Sequence, residues 1–260
     1  MASKISLVMT VYNRQRFVAA AIESALAQTY SDFELLVWDD GSTDQSLEIA
    51  QTYSQADPRV KVFAGRHQGR TRSLQAAHAA TQGTYVGWLD SDDLLAPTAL
   101  ERTAHELDTH PDVGMVYTNY QVIDENGTVT GPGSRCQIPF SKDQLLLDFM
   151  TFHFRLIRHS AFVQAGGIDS DFPAAIDYDL CLRLSEVTQI QHLEQSLYFY
   201  RSHPQSMSGL DQLQQVYFSR EAISRALNRR GLADKFQIEV QVKSQFFLRK
   251  RLQSTERKSK

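Results

Sequence analysis

Residues 84–97 read TYVGWLDSDDLLAP. An apolar, strand-like run (Tyr85, Val86, Trp88, Leu89) stops at Asp90-Ser91-Asp92-Asp93, placing three carboxylates within four residues behind a segment that reads as buried. Like charges gathered at the mouth of a core cost stability unless a positive partner joins them. A hard divalent cation is one such partner, because Mg²⁺-like ions are held by one or two carboxylates together with substrate phosphates. The competing reading is an acidic turn at the start of the next helix, where Asp is favoured as a cap and by the helix dipole. The stretch alone leaves both open.

Upstream, Ile5–Val11 reads as a buried strand, broken by Tyr12-Asn13-Arg14. Phe17, Ala21, Ile22, Ala25 and Leu26 recur at helical spacing and predict a helix from Arg16 to Gln28. Phe33–Trp38 is a second strand, ending in Asp39-Asp40-Gly41-Ser42-Thr43-Asp44. Gly41 suits a tight turn, and Thr43 or Asp44 can cap a helix over Gln45–Ser54. A short strand over Val60–Ala64 and an Ala-rich helix over Thr71–Thr81 follow, and the opening stretch supplies the fourth strand. The alternation β-α-β-α-β-α-β predicts an α/β fold with a mostly parallel, Rossmann-like central sheet flanked by helices. Polar clusters at residues 10–14, 39–44 and 90–93 each follow a strand C-terminus. That is the edge where open α/β sheets bind ligands.

Downstream the alternation is lost. The pattern predicts a helix over Pro97–Thr109, a strand over Val113–Tyr117, and a hairpin over Gln121–Thr130 turning on Asn126-Gly127. A helix over Lys142–Met150, a strand over Phe152–Arg158 and a helix over Ala174–Glu186 come next. Two short strands (Gln189–Leu193, Leu197–Tyr200), a long amphipathic helix over Asp211–Arg229, and a half-exposed strand over Lys235–Phe247 complete the reading. The chain divides into residues 1–112, 113–208 and 209–260, the last holding a helix, a strand and a basic tail.

With 260 residues, 42% hydrophobic and 22% charged, the chain has ample material for a core. A net charge of −3 carries no nucleic-acid footprint, so no nucleic-acid partner is expected. Cys136 and Cys181 are too few for a zinc cluster and read as reduced thiols. The apolar run at the N-terminus is too short for a leader or a span, and a cytoplasmic location is expected. Arg249–Lys260 is basic. Such a tail either stays solvated or makes weak peripheral contact with an anionic inner membrane face.

On the helix over 174–186, Asp177 shares one stripe with Leu180, Cys181 and Leu184, which turns it inward as either a buried acceptor or a catalytic base. Asp179 and Arg183, at i and i+4, are expected to form a solvated pair. Arg201 and His203 follow the last short strand, where Arg can offset phosphate and a neutral imidazole can ligate metal. His153, beside Arg155, either faces the cleft or is packed. Tyr12 can stack on a base, whereas Trp88, inside an apolar strand, reads as core. Neither a P-loop nor a dinucleotide fingerprint nor a nucleophile elbow is present, and Gly65–Arg70 fits none of these.

SLVMTVYNR, FELLVWDDGSTD, QGTYVGWLDSDD, IDYDLCLRL and YRSH occur in the order and rough spacing of family 2 glycosyltransferases, which the chain resembles from about Ser6 to Ser208. The resemblance implies the GT-A fold, with residues 1–112 as the nucleotide-sugar half and 113–208 as a smaller, mixed acceptor and catalytic-base half. It implies inverting transfer from a nucleotide-sugar donor, read as a UDP-sugar, to a saccharide or lipid-linked acceptor. Thr10 and Tyr12 would line the nucleobase pocket, Asp40 would bond the base, and Asp39 would shape the same turn. Asp90 would meet the ribose side, Asp92 would hold Mn²⁺ or Mg²⁺ on the diphosphate, and His203 would close over that metal with Arg201 nearby. Asp177 would be the catalytic base. Ile176 stands where the family often has Glu, and Leu74-Gln75 where many members have Arg-Asn or Leu-Asn, which weakens a sugar or phosphate contact there. The rival readings are a metal-dependent nucleotidyltransferase and a non-catalytic nucleotide-sugar-binding module.

Overall fold

A computed structural model describes residues 4–204 and 212–241. Strands β1 (Ile5–Val11), β2 (Phe33–Asp39), β3 (Val60–Ala64) and β4 (Tyr85–Trp88) alternate with helices α1 (Val18–Leu26), α2 (Ser46–Ala56) and α3 (Arg70–Ala79). They pair in parallel in the order β3-β2-β1-β4. β1 and β4 are almost wholly buried, as strands covered on both faces must be. Val18, Ala21, Ile22 and Ala25 form the buried stripe of α1, and α3 packs across β1 and β2.

The second half extends the same sheet with mixed directions. Past β4 come β8 (Arg155–Arg158), β6 (Val113–Ile123), β9 (Gln189–Arg201) and the two-residue β5 (Leu94–Leu95), while β7 (Val129–Pro132) pairs off the path with β6. β8 is antiparallel to both β4 and β6, β9 is parallel to β6, and β5 is antiparallel to β9. Helix α4 (Ala99–Thr109) packs on β6 and β8. Helices α5 (His159–Gln164) and α6 (Ile176–Val187) pack together, and α7 (Gln212–Arg229) lies against α6. The chain therefore forms a curled, largely parallel α/β sheet with flanking helices, as its sequence pattern predicts. Among the described residues no helix is long and apolar enough to cross a membrane.

Four local expectations are corrected. The two short strands expected over 189–200 are one strand, β9, which absorbs the break as register shifts opposite Thr118–Tyr120. Lys142–Met150 makes only a 3₁₀ turn at Gln144–Leu146. Leu145 points into the core while Leu147 is 78% exposed, so the Leu run offers no single apolar stripe for a longer helix to bury. The strand expected over Phe152–Arg158 begins only at Arg155, because Phe154 pairs instead with Thr118 through the Thr hydroxyl and backbone. Residues 235–241 are not a strand, and 242–247, with the basic tail, lie outside the described residues.

The α3-to-β4 turn shows why β1 and β4 can lie so close. A Cβ on Gly83 would stand 2.6 Å from the Ser6 backbone nitrogen. Gly83→Ala is expected to destabilise the fold by about 1–3 kcal/mol, through backbone displacement of β1. Thermal denaturation of the variant checks this, and an unchanged melting temperature would contradict the packing described.

Candidate active site

The C-terminal ends of β1, β2 and β4 open into one cleft of about 1800 Å³ that continues beneath α6 and α7. Thr10, Tyr12, Asp40, Asp90, Asp92, Asp177 and Arg201 all line it. These expected site residues converge although they are scattered from Thr10 to Arg201.

At one end, Tyr12 is 39% exposed and its ring stacks on His67 at 4.1 Å. Asp39 is buried and accepts hydrogen bonds from the backbone N–H of Gly41 (3.0 Å) and Ser42 (2.9 Å). It shapes the turn rather than facing the cleft. Asp40 accepts from the N–H of Gln68 (2.9 Å) and Gly69 (3.0 Å) and from the Ser73 hydroxyl (2.7 Å), with His67 Nδ1 at 2.9 Å. Gly41, at φ +74°, lets the backbone of residues 66–67 press against the turn, since a Cβ there would lie 2.6 Å from the His67 nitrogen. The Gly65–Arg70 segment, which matched no motif, is thus the outer wall of this pocket.

The acidic cluster divides into three environments. Asp90 Oδ1 lies 2.6 Å from Arg70 Nη2, yet burial outweighs that cation and raises its pKa. Asp92 Oδ2 lies 3.1 Å from Arg14 Nε and 3.0 Å from His203 Nε2. Burial pushes the Asp92 carboxyl up, but the His203 bond and the Arg14 charge more than offset it and hold the pKa below the usual value. Asp93 is 1% exposed and is not a helix cap. It accepts from the Tyr198 hydroxyl (2.8 Å) and the Arg201 N–H (2.7 Å), tying the DSDD turn to β9, and burial beside Asp92 and Asp90 lifts its pKa well above the ordinary range.

Asp177 sits in the first turn of α6, after Ala175 in the left-handed region at φ +54°. Its Oδ1 accepts from the Tyr178 N–H (3.0 Å) and its Oδ2 from Arg155 Nη2 (3.1 Å). Burial alone would raise its pKa. Arg155 and then Arg70 reverse the shift, so the carboxyl is held ionised, with 22% of the side chain open to the cleft.

The donor set can be tested against a divalent cation. Among the described residues there is no cluster of three His, Cys, Asp or Glu side chains suited to a metal. Asp92 lines the cleft and meets His203 at 3.0 Å, but the His203 side chain is 2% exposed and borders a separate recess beside Asn13–Phe17 and Glu125, while Asp93 is consumed by Tyr198 and Arg201. The Asp92 carboxylate on the cleft wall is a single donor that fits a hard ion taking the rest of its shell from waters and substrate phosphates.

Arg201 lines the cleft, but its guanidinium also holds the carbonyls of Asp92 (2.7 Å), Asp124 (3.1 Å) and Glu125 (3.2 Å). Gln75 spends its amide on the Ile168 carbonyl (2.9 Å). Trp88 is core, as expected, under the Arg155 guanidinium at 5.0 Å. The Asp179–Arg183 pair corrects the expectation of a solvated one. Asp179 is 1% exposed, and Arg183 also donates to the carbonyls of Ala165 and Gly167, because α5 and the loop after it cover that face of α6. Sequence reasoning gave no role to Arg14, His67 or Arg70. Charge balance was the available signal, since a cleft lined by this many carboxylates needs cations facing them.

A family model described as glycosyl transferase family 2 matches residues 6–165. The chain is 31% identical to a chondroitin synthase of Escherichia coli over 88% of its own length and 33% of that protein's. It is 30% identical to a hyaluronan synthase of Pasteurella multocida over 88% of its length and 23% of that protein's. It thus spans a third or less of these curated relatives. Among solved structures it is similar to S. aureus TarS 1–349 in complex with UDP-GlcNAc, with a TM-score of 0.69 and 19% identity over 86% of this chain and 67% of that one. The mannosyltransferase PcManGT from Pyrobaculum calidifontis, in complex with GDP-Man and Mn²⁺, gives 0.64 at 14% identity over 90% and 76%. At these identities the two structures speak for a shared GT-A fold.

Proposed function

The chain belongs to glycosyl transferase family 2, and from that premise we propose that it is a metal-dependent, inverting glycosyltransferase. It would move a sugar from a nucleoside-diphosphate donor, read as a UDP-sugar, to an acceptor hydroxyl in polysaccharide, glycan or glycolipid assembly. The observation that carries this reading is the ionised Asp177 facing the same cleft as Asp90 and Asp92.

Thr10 and Tyr12 would receive the nucleobase, with Asp40 bonding it and Asp39 fixing the turn behind. Asp90 would meet the ribose, and Arg201 would border the diphosphate. Asp92 and His203 would hold a Mn²⁺ or Mg²⁺, whose charge would offset that of the leaving diphosphate. The acceptor oxygen attacks the anomeric carbon as the bond from that carbon to the phosphate oxygen breaks. Asp177 takes the hydroxyl proton, and the nucleoside diphosphate leaves with the bonding pair. A single displacement inverts the configuration. The complexes with UDP-GlcNAc and with GDP-Man and Mn²⁺ in proteins of this fold support a nucleotide-sugar donor and a divalent ion. The names of the chondroitin and hyaluronan synthases support a saccharide acceptor. The apolar wall of Leu147, Phe149, Phe236 and Val240 leaves room for a lipid-linked one. A cytoplasmic location, with weak peripheral membrane contact through residues 249–260, belongs to the same reading.

The test is a panel of UDP-GlcNAc, UDP-Glc, UDP-GalNAc, UDP-GlcA and GDP-Man, each incubated with the protein and Mn²⁺. Release of a nucleoside diphosphate that stops on chelation is expected. Pyrophosphate release from nucleoside triphosphates would instead identify a nucleotidyltransferase, and binding without turnover a carrier module.

A further inference from the structure

Arg155 lies at the start of β8 with 1% of its surface exposed, among the largest fully buried side chains of the protein. A buried cation costs more than its Coulomb gain returns unless its donors are met with good geometry. Nη1 donates to the Thr151 carbonyl (3.0 Å), Nε has no hydrogen-bond partner among the described residues, and the guanidinium lies over the Trp88 ring at 5.0 Å. The informative nitrogen is Nη2. It stands 3.1 Å from Asp177 Oδ2 and 3.3 Å from His153 Nδ1.

Two consequences follow from elementary donor and acceptor chemistry. Arg has no acceptor, so His153 Nδ1 must accept, and the imidazole carries its proton on Nε2. His153 is 3% exposed and stacks on Tyr198 at 4.7 Å, which points Nε2 at Asp90 Oδ2, 3.6 Å away. The Arg155–Asp177 pair is also lopsided. Its cation is buried, but 22% of the Asp177 side chain is open. In the Asp179–Arg183 pair of the same helix the burial is reversed: the carboxylate is 1% exposed, and the arginine is anchored on carbonyls of the neighbouring loop. One pair fastens α6 to its surroundings, and the other presents a carboxylate to the cleft from below.

We propose that Arg155 is the positioning residue of the active site: it aims the Asp177 carboxylate into the cleft and, through the same nitrogen, fixes His153 as the Nε2–H tautomer facing Asp90. This rests on the reading of Asp177 as the base. The other charged or titratable groups around Asp177 are Arg70 from α3, Arg135 from the turn after β7, Asp90 from the end of β4, and Cys181 from α6 itself. Of the cations among them, Arg155 alone donates a hydrogen bond to Asp177 among the described residues.

The experiment compares wild type with Arg155→Met, Arg155→Lys and Asp177→Asn. ¹⁵N-detected histidine NMR, with His153→Asn to assign the signal, needs no substrate. Wild type should show Nδ1 unprotonated, and Arg155→Met should lose that preference. Calorimetry with UDP and Mn²⁺ should show nucleotide binding within about threefold of wild type in Arg155→Met, while kcat on the fastest panel donor falls about 100-fold, the scale of a small misplacement of a catalytic group. Its acid limb should move to higher pH. Arg155→Lys keeps the charge and loses the fork. It should lower kcat by about tenfold or more with the limb in place, and it carries the test if Arg155→Met does not fold. A wild-type His153 protonated on Nδ1, or full turnover in both Arg155 variants, would overturn the proposal. If Asp177→Asn abolishes turnover while both Arg155 variants behave as wild type, the positioning role fails and the base stands. If Asp177→Asn turns over normally, the base itself is wrong.

Discussion

Asn in place of Asp177 is expected to cut turnover by about 10²–10⁴-fold, the usual contribution of a positioned general base, with nucleotide binding nearly unchanged. The amide keeps the shape of the carboxylate and its contact with the Tyr178 N–H, but it cannot take a proton. The pH dependence carries a sign. A base works when ionised, and Arg155 and Arg70 hold Asp177 below the usual carboxylate pKa against the push of burial. In wild type, the loss of rate due to Asp177, read as kcat at saturating donor, should therefore come only below about pH 4, the ordinary carboxylate value. Steady-state rates across pH in both proteins check this. An acid limb near neutrality would mean that some other group is the base.

The second large effect is expected at Asp92. Replacing it with Ala should weaken Mn²⁺-dependent UDP binding by about 100-fold, equivalent to about 3 kcal/mol, because a hard ion that draws little on the protein loses a principal anchor. Arg14 and His203 would also lose the oxygen they share. Metal-free UDP binding should change far less, since Asp92 would meet the diphosphate only through the ion. Titration calorimetry with and without Mn²⁺ separates the two. Equal losses in both conditions would make Asp92 a structural acid rather than a metal residue.

The division of the acidic turn shows how far sequence reasoning reached. Strand-end clustering placed Thr10, Asp40 and Asp90 at one edge because parallel strands must end together once their helices cross back. Helical spacing turned Asp177 inward for the same kind of reason: 3.6 residues per turn fixes the stripe it shares with Leu180, Cys181 and Leu184. Periodicity says nothing about partners across the cleft. Arg14, Arg70 and Arg155 come from a loop, a helix start and a strand, and only the fold sets each against its own carboxylate. Asp93 shows the same limit. As sequence it belongs to the acidic cluster, but in the fold it is a buried link to Tyr198 on β9, 105 residues away. The helical reading of Lys142–Met150 failed because burial there alternates between core and cleft, a pattern set by what lies on either side.

The central claim is a single displacement driven by Asp177. Its most direct measurement is ¹H NMR of the sugar released in the first minutes of turnover of an α-linked nucleotide sugar, run with wild type and Asp177→Asn. Wild type should yield the β anomer before mutarotation, with the variant nearly silent. A first-formed α anomer, or equal rates in the two proteins, would contradict the account.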